Sequence, residues 1–163
     1  MAKNSPYLLI VWHSRTGASE AMAKAALAGG GSYCRMLSAD RTTSEDLLDA
    51  GAYLFVCPEN LASMSGLMKE MFDRNYYPVL GKIEGRAYAT IIAAGSDGAG
   101  AQRQIDRIAK GWRLKRVADP MIANFEAQTP ERILAEKSVD EKRLEACREL
   151  GAALSEGLKL GLF

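Results

Sequence analysis

The stretch Tyr7 to Ala28, YLLIVWHSRTGASEAMAKAALA, constrains the fold more than any other part of the chain. Tyr7 to Trp12 is an unbroken apolar run between Pro6 and a polar turn, as expected of a strand covered on both faces. His13-Ser14-Arg15-Thr16-Gly17-Ala18-Ser19 follows, and then an alanine-rich segment with Met22, Ala25, Ala26 and Leu27 at helical spacing. A strand that turns sharply into a helix leaves the first N–H groups of that helix unpaired. Those groups and the positive end of the helix dipole favour an anion. Ser14, Thr16 and Ser19 can add hydroxyls, and Gly17 lets the backbone close around the anion.

The loop lacks the lysine of a Walker A motif and the three glycines of a dinucleotide fingerprint. A plain helix cap needs one Ser or Thr, and this loop has five polar residues in seven. A phosphate monoester is the expected anion.

Further along, Tyr33–Leu37 reads as a short edge strand interrupted by Arg35, and Gly29-Gly30-Gly31 as the stop of the first helix. Thr42-Thr43-Ser44-Glu45 fits a capping box, and Tyr53–Cys57 a central strand ended by Pro58. A helix is expected from Ser65 to about Asn75. A fourth strand spans Arg86–Ala94, a helix about Ala99–Lys110, and an irregular fifth strand Arg116–Ile122, broken by Asp119 and Pro120. Thr129-Pro130 opens a short turn. Ser138-Val139-Asp140-Glu141 heads a long helix with Leu144, Cys147, Leu150, Leu154 and Leu158 inward.

A helix between each pair of strands implies one domain over residues 1–163, a doubly wound five-stranded parallel sheet with helices on both faces. The loops after strands one, three and four then converge at the carboxyl edge, where ligands of such sheets bind.

The loop after strand three, Pro58-Glu59-Asn60-Leu61-Ala62-Ser63-Met64-Ser65-Gly66, leads into a helix containing Phe72-Asp73-Arg74. The loop after strand four is Gly95-Ser96-Asp97-Gly98-Ala99-Gly100. Together with Ser14-x-Thr16-Gly17-x-Ser19, these resemble the three flavin loops of the flavodoxin-like family, of the NAD(P)H-dependent FMN and quinone reductase type. The resemblance runs from Tyr7 to about Ile122. It implies the strand order 2-1-3-4-5 and bound FMN. The phosphate would lie on Ser14, Arg15, Thr16, Gly17, Ala18 and Ser19. The ring edge would lie on Pro58, Glu59, Asn60, Leu61, Ala62, Ser63, Gly95, Ser96, Asp97 and Gly98, with Leu61 and Met64 offering apolar contact. The chemistry belongs to the flavin, so no catalytic side chain is expected. NADH or NADPH is implied as co-substrate, with a quinone, free flavin or other small molecule as acceptor. A homodimer or homotetramer is implied as well.

Electron-carrier flavodoxins are strongly acidic and sandwich the flavin between aromatic side chains. This chain carries 21 Lys plus Arg against 20 Asp plus Glu, and its second loop has no aromatic residue. That balance favours a reductase with one flavin face open to a nicotinamide. A carrier without its own turnover, and a flavin-free interaction or sensor domain, are the alternatives. The same balance argues against nucleic acid or an anionic membrane as partner. Three cysteines without a C-x-x-C pair and a single histidine argue against a disulfide framework or a metal site. No apolar run approaches a membrane span and no secretory leader is recognisable, so the cytoplasm is the expected compartment.

Individual side chains keep two readings. His13 could support the ligand or be structural, and Arg15 could meet the phosphate or water. Glu59 and Asp97 are read first as solvated loop acids, and Trp12 as core. Tyr76 and Tyr77 could wall a cavity or pack a helix end. The basic run from Arg103 to Arg116 could receive the extra phosphate of NADPH or be a wet helix face. The cysteines read as core.

Overall fold

A computed structural model describes residues 5–163; the polar lead-in read at residues 1–6 lies outside the described residues except for Ser5 and Pro6. The strands are β1 (Leu8–Trp12), β2 (Cys34–Ser38), β3 (Ala52–Asn60), β4 (Ser63–Met64), β5 (Ala87–Ala94), β6 (Lys115–Arg116) and β7 (Met121–Asn124). The helices are α1 (Ala18–Gly30), α2 (Ser44–Asp49), α3 (Gly66–Val79), α4 (Ala99–Gly111), α5 (Pro130–Leu134) and α6 (Glu141–Lys159). The sheet runs β2-β1-β3-β5-β6, with β7 also on β5 and β4 folded back on β3. Counting β6 and β7 as the two halves of one interrupted strand, this is the 2-1-3-4-5 order expected from the sequence.

Alternate residues of each strand feed two separate cores. Leu9, Val11, Tyr53, Phe55, Tyr88 and Ile92 meet Met68, Phe72, Ile105 and Trp112 on the face covered by α2, α3 and α4. Leu8, Ile10, Leu54, Val56, Ala89 and Ile91 meet Met22, Ala26, Cys147 and Leu154 on the face covered by α1 and α6. β1 and the buried stretch of β3 from Ala52 to Cys57 are therefore apolar at every position, and β5 departs from this only at Thr90, whose hydroxyl donates to Gln102 Oε1 at 2.7 Å.

Several boundaries differ from expectation. Gly29 and Gly30 do not stop α1. They continue it, and the turn falls at Gly31, at φ 63°. A side chain on Gly29 would overlap the backbone of Arg148, and one on Gly30 would meet Cys34 Sγ and Ser155 Oγ. These glycines serve close approach to α6 and β2. Pro58 does not end β3, which runs to Asn60 with Pro58 opposite Ala93. β1 stops opposite Val56, so the N–H that proline lacks faces no strand, and the Pro58 carbonyl accepts from Ser65 N at 3.1 Å.

The capping box is one residue later than read, with Thr43 and Asp46 bonding reciprocally. The last helix is capped by Asp140 and not by Ser138. α3 passes Asn75 and reaches Val79 through Pro78. Beyond Pro78 the chain leaves the helix, and Leu80 N bonds Tyr77 O, so Tyr76 O has no helical donor. Trp112 Nε1 supplies it at 3.0 Å while its ring stacks on Tyr76 at 5.8 Å. Pro78 itself stands one residue before the end of α3 at Val79. Tyr76 and Tyr77 thus sit at the end of α3 remote from its head at Ser65.

The α1–α6 contact can be tested directly. A methyl on Gly151 would run into Ala26 O, whereas nothing lies within 4 Å of a methyl on Gly66. Gly151→Ala should cost roughly 1–3 kcal/mol in urea unfolding through overpacking. Gly66→Ala should be neutral or stabilising by up to about 1 kcal/mol.

Candidate functional site

The reversal of strand order falls between β1 and β3, and the loops leaving β1, β3 and β5 meet above it. A small cleft opens there. Arg15 and Thr16 line it from the first loop, Pro58, Glu59 and Asn60 from the second, and Ala93, Ala94 and Gly95 from the end of β5.

At the head of α1, Gly17 is the cap residue, in the left-handed conformation at φ 98°, and no side chain caps the helix. Ser14 Oγ accepts from Gly17 N at 3.0 Å and fixes the turn. The N–H groups of Ala18, Ser19 and Glu20 find no partner among the described residues. Ser19 Oγ is buried and equally without a partner. Leaving a buried hydroxyl unpaired costs about 1–3 kcal/mol. A phosphate oxygen at this helix head is chemistry that would satisfy both the hydroxyl and the amides, so the residues present fit a phosphate monoester. Ala18 is buried beneath the turn and Arg15 is exposed at its rim.

The second and third loops are joined to each other. Glu59, expected to be a solvated acid, places its carboxylate on the head of α4: Oε1 accepts from Gly98 N at 2.9 Å and Oε2 from Ala101 N at 3.1 Å. It caps a helix of another segment and offsets the positive end of its dipole. A side chain on Gly100 would overlap Ala62 O, which is why α4 begins with small residues. Ser63 Oγ donates to Gln104 Oε1 at 2.9 Å, and Met64 N donates to the same oxygen at 2.8 Å.

Leu61, Ala62 and Ser63 are therefore not among the residues that line the cleft. Leu61 and Ala62 form the hairpin tip at φ 52° and 60°, with Leu61 fully exposed. Met64, read as an apolar contact for the ligand, is buried in the core instead. The Asn60 side-chain amide has no partner among the described residues and remains free for a ligand edge. Ser96 O accepts from Asn124 Nδ2, and Asp97 Oδ1 from Ala99 N at 3.3 Å. Gly98, at φ 92°, fits against Ile122 where a Cβ would clash.

His13 resolves toward the structural reading. Its N donates to Val56 O at 3.0 Å, and Nδ1 lies 2.8 Å from Ser65 Oγ, tying β1 to the head of α3. Burial lowers its pKa, partly opposed by Asp40. Burial also raises the thiols of Cys34 and Cys147 to about 11 and of Cys57 to about 12, so none is a ready thiolate. In the basic run Arg113 pairs with Glu84 and Arg116 with Asp106, Arg103, Arg107 and Lys110 lie on the exposed face of α4, and Lys115 is exposed on β6. No group of three or more metal-ligating side chains occurs among the described residues, and none of their helices is long and apolar enough to cross a membrane.

Six cleft residues lie outside the set the resemblance implies: Ala93 and Ala94 at the end of β5, and Phe125, Ala127, Ile133 and Lys137 beyond Ile122. The segment after β7 folds back over the first loop, with Lys137 N on Thr16 O at 2.8 Å. Lys137 Nζ meanwhile closes α5 by donating to the carbonyls of Arg132, Ile133 and Ala135. The cap Thr129 and Pro130 marked the turn; nothing local marked where it would lie.

The chain is thus a doubly wound α/β protein with an uncapped helix head beside a cleft at the switch point. No family model matches it. A flavodoxin of Aquifex aeolicus (strain VF5) is 27% identical over 158 residues, 91% of this chain and 85% of that protein. A solved flavodoxin from the domain Archaea superposes with a TM-score of 0.77 at 18% identity, over 94% of this chain and 99% of the other. A flavodoxin, WrbA-like protein from Agrobacterium tumefaciens gives 0.73 at 16% identity, over 96% and 99%. The chain therefore has a flavodoxin-like fold and is similar in sequence to a flavodoxin.

Two outcomes follow from this geometry. Glu59→Ala should cost about 1.5–3 kcal/mol, because it frees two amides at the head of α4 that bonded a charged acceptor; chemical unfolding measures it. Because the folded pKa of His13 lies below its unfolded value, the unfolded chain binds the proton more readily. Its contribution is present above about pH 6.5 and is lost as pH falls through the folded pKa. The Tm of the parent should therefore drop more between pH 7 and 5 than that of His13→Gln.

Proposed function

We propose that this chain binds FMN in the switch-point cleft and works as an FMN-dependent oxidoreductase. In that role it takes electrons from NADH or NADPH and passes them to a quinone, a free flavin or another small acceptor. The observation that carries the reading is the uncapped head of α1, with its unpaired amides and the orphaned Ser19 hydroxyl beside the cleft. Ser14 holds the turn, and Thr16, Gly17, Ala18 and Ser19 present amides and hydroxyls to the phosphate. Asn60 and the backbone at Pro58 and Gly95 face the polar edge of the ring. When bound, the flavin supplies the hydride and electron transfer.

The chain's own part is to hold that ring and to leave room for a second. The tip of the second loop, Leu61-Ala62-Ser63, carries no aromatic cover and is tied to α4, which supports access by a nicotinamide. The near balance of charge supports a small acceptor over a basic protein partner. A homodimer or homotetramer with a neighbour at the cleft mouth belongs to the same proposal. The Aquifex relative's name favours a second reading, an electron carrier without its own turnover.

Calorimetric titration should detect FMN binding that is much tighter than riboflavin binding. Ser19→Ala should weaken FMN about tenfold and leave riboflavin unchanged, since one hydrogen bond to a charged group is worth about 1.5 kcal/mol. Equal affinity for FMN and riboflavin would overturn the phosphate site. Steady-state oxidation of NADH and NADPH with a quinone separates the two readings: a flavin-loaded protein without turnover is a carrier.

A further inference from the structure

We propose that Phe125 is the aromatic wall against which the flat ring of the ligand lies, with Arg143 as the residue that positions it; this rests on the flavin reading above. Residues 58–66 and 95–100 contain no Phe, Tyr or Trp, so an aromatic face cannot come from the second or third loop. Phe125 is the aromatic side chain that lines the cleft, together with Pro58, Asn60 and Gly95. It comes from the segment after β7.

Its placement is determined from several sides. Phe125 N donates to Ala94 O and Ala127 N to Gly95 O, both at 2.8 Å, which lays this segment along the end of β5. Asn124 Nδ2 donates to Ser96 O, and Asn124 Oδ1 accepts from Glu126 N, each at 2.8 Å. Glu126 turns the chain back at φ 51°.

The Arg143 guanidinium lies 5.0 Å from the centroid of the Phe125 ring. It is itself held by Asn124 O at 2.7 Å and Asp140 Oδ2 at 3.1 Å. Phe125 lines the cleft and Arg143 does not, so the cation bears on the ring without being part of the cleft lining. A half-buried ring pinned by a cation on one side is already ordered before a ligand arrives. It offers offset stacking to a planar heterocycle without further ordering cost.

This wall should recognise the ring, and the head of α1 the phosphate. The two contributions are separable by using FMN and riboflavin as probes of the full-length protein. Phe125→Leu, which keeps an apolar filler, should weaken FMN and riboflavin alike by about tenfold. It should also relieve the quenching of flavin fluorescence and change the visible circular dichroism of the bound ring. Phe125→Trp should keep the quenching. Arg143→Met should relieve part of it, and Arg143→Lys should restore most of it by returning the cation. Far-UV circular dichroism establishes that each variant is folded, and Phe125→Tyr replaces any Leu variant that is not.

A folded Phe125→Leu protein with parental affinity for both probes and unchanged fluorescence overturns the wall. So does a loss confined to FMN, which would put Phe125 at the phosphate. A parent protein that takes up no FMN at all overturns the flavin reading, and this inference with it.

Discussion

The first crossover is the constraint on which the other arrangements depend. β1 is apolar at each position because helices cover both of its faces, and α1 must leave it within five residues to reach one of them. α1 is then pressed between the sheet and α6, where Gly29, Gly30 and Gly151 admit no side chain. A helix so tightly placed has no freedom to redirect its head. Its amides point to the carboxyl edge of the sheet, where the strand order reverses, and nothing in the chain caps them.

The remaining loops divide the work of building a cleft around that head. The second and third loops mostly bind each other: the Glu59 carboxylate caps α4, Gln104 ties down the hairpin, and Gly100 lets Ala62 in. This makes one rigid wall, with the Asn60 amide as its free polar group. The opposite wall comes from the segment between β7 and α6, which brings Phe125, Ala127, Ile133 and Lys137 over the first loop. That wall is held by charge-assisted bonds from Gly98 N and Ala101 N to Glu59 and by the bonds of Ser63 and Met64 to Gln104. What stays unbonded, the head of α1 and the Asn60 side chain, is what a phosphorylated planar ligand would use.

Much of the fold was legible in the residues. Continuous apolar runs marked β1, β3 and β5, and the helical stripes of Leu67–Phe72 and Leu144–Leu158 marked α3 and α6. The order of elements left few topologies open. Misread boundaries had tertiary causes. Pro58 remains in a strand because no neighbour needs its N–H. Pro78 is carried in the last turn of α3, whose end is fastened by the Trp112 Nε1 bond to Tyr76 O. The glycines of α1 look like a turn and are a packing surface.

The site was legible only in part, for the same reason. Ser14 to Ser19 form a local motif whose hydroxyls, glycine and helix start lie close together in the chain, so the amino-acid order alone determined a helix head that no side chain among the described residues caps. It also determined the parallel sheet, because a run of apolar residues with helices on either side can be buried in few other ways. Only the tertiary structure decided that Glu59 caps a helix about forty residues away, that Met64 turns inward, and that Phe125 and Lys137 belong to the cleft. Those outcomes depend on which backbone groups lack a partner once distant segments are packed together, and no local pattern of side chains encodes that.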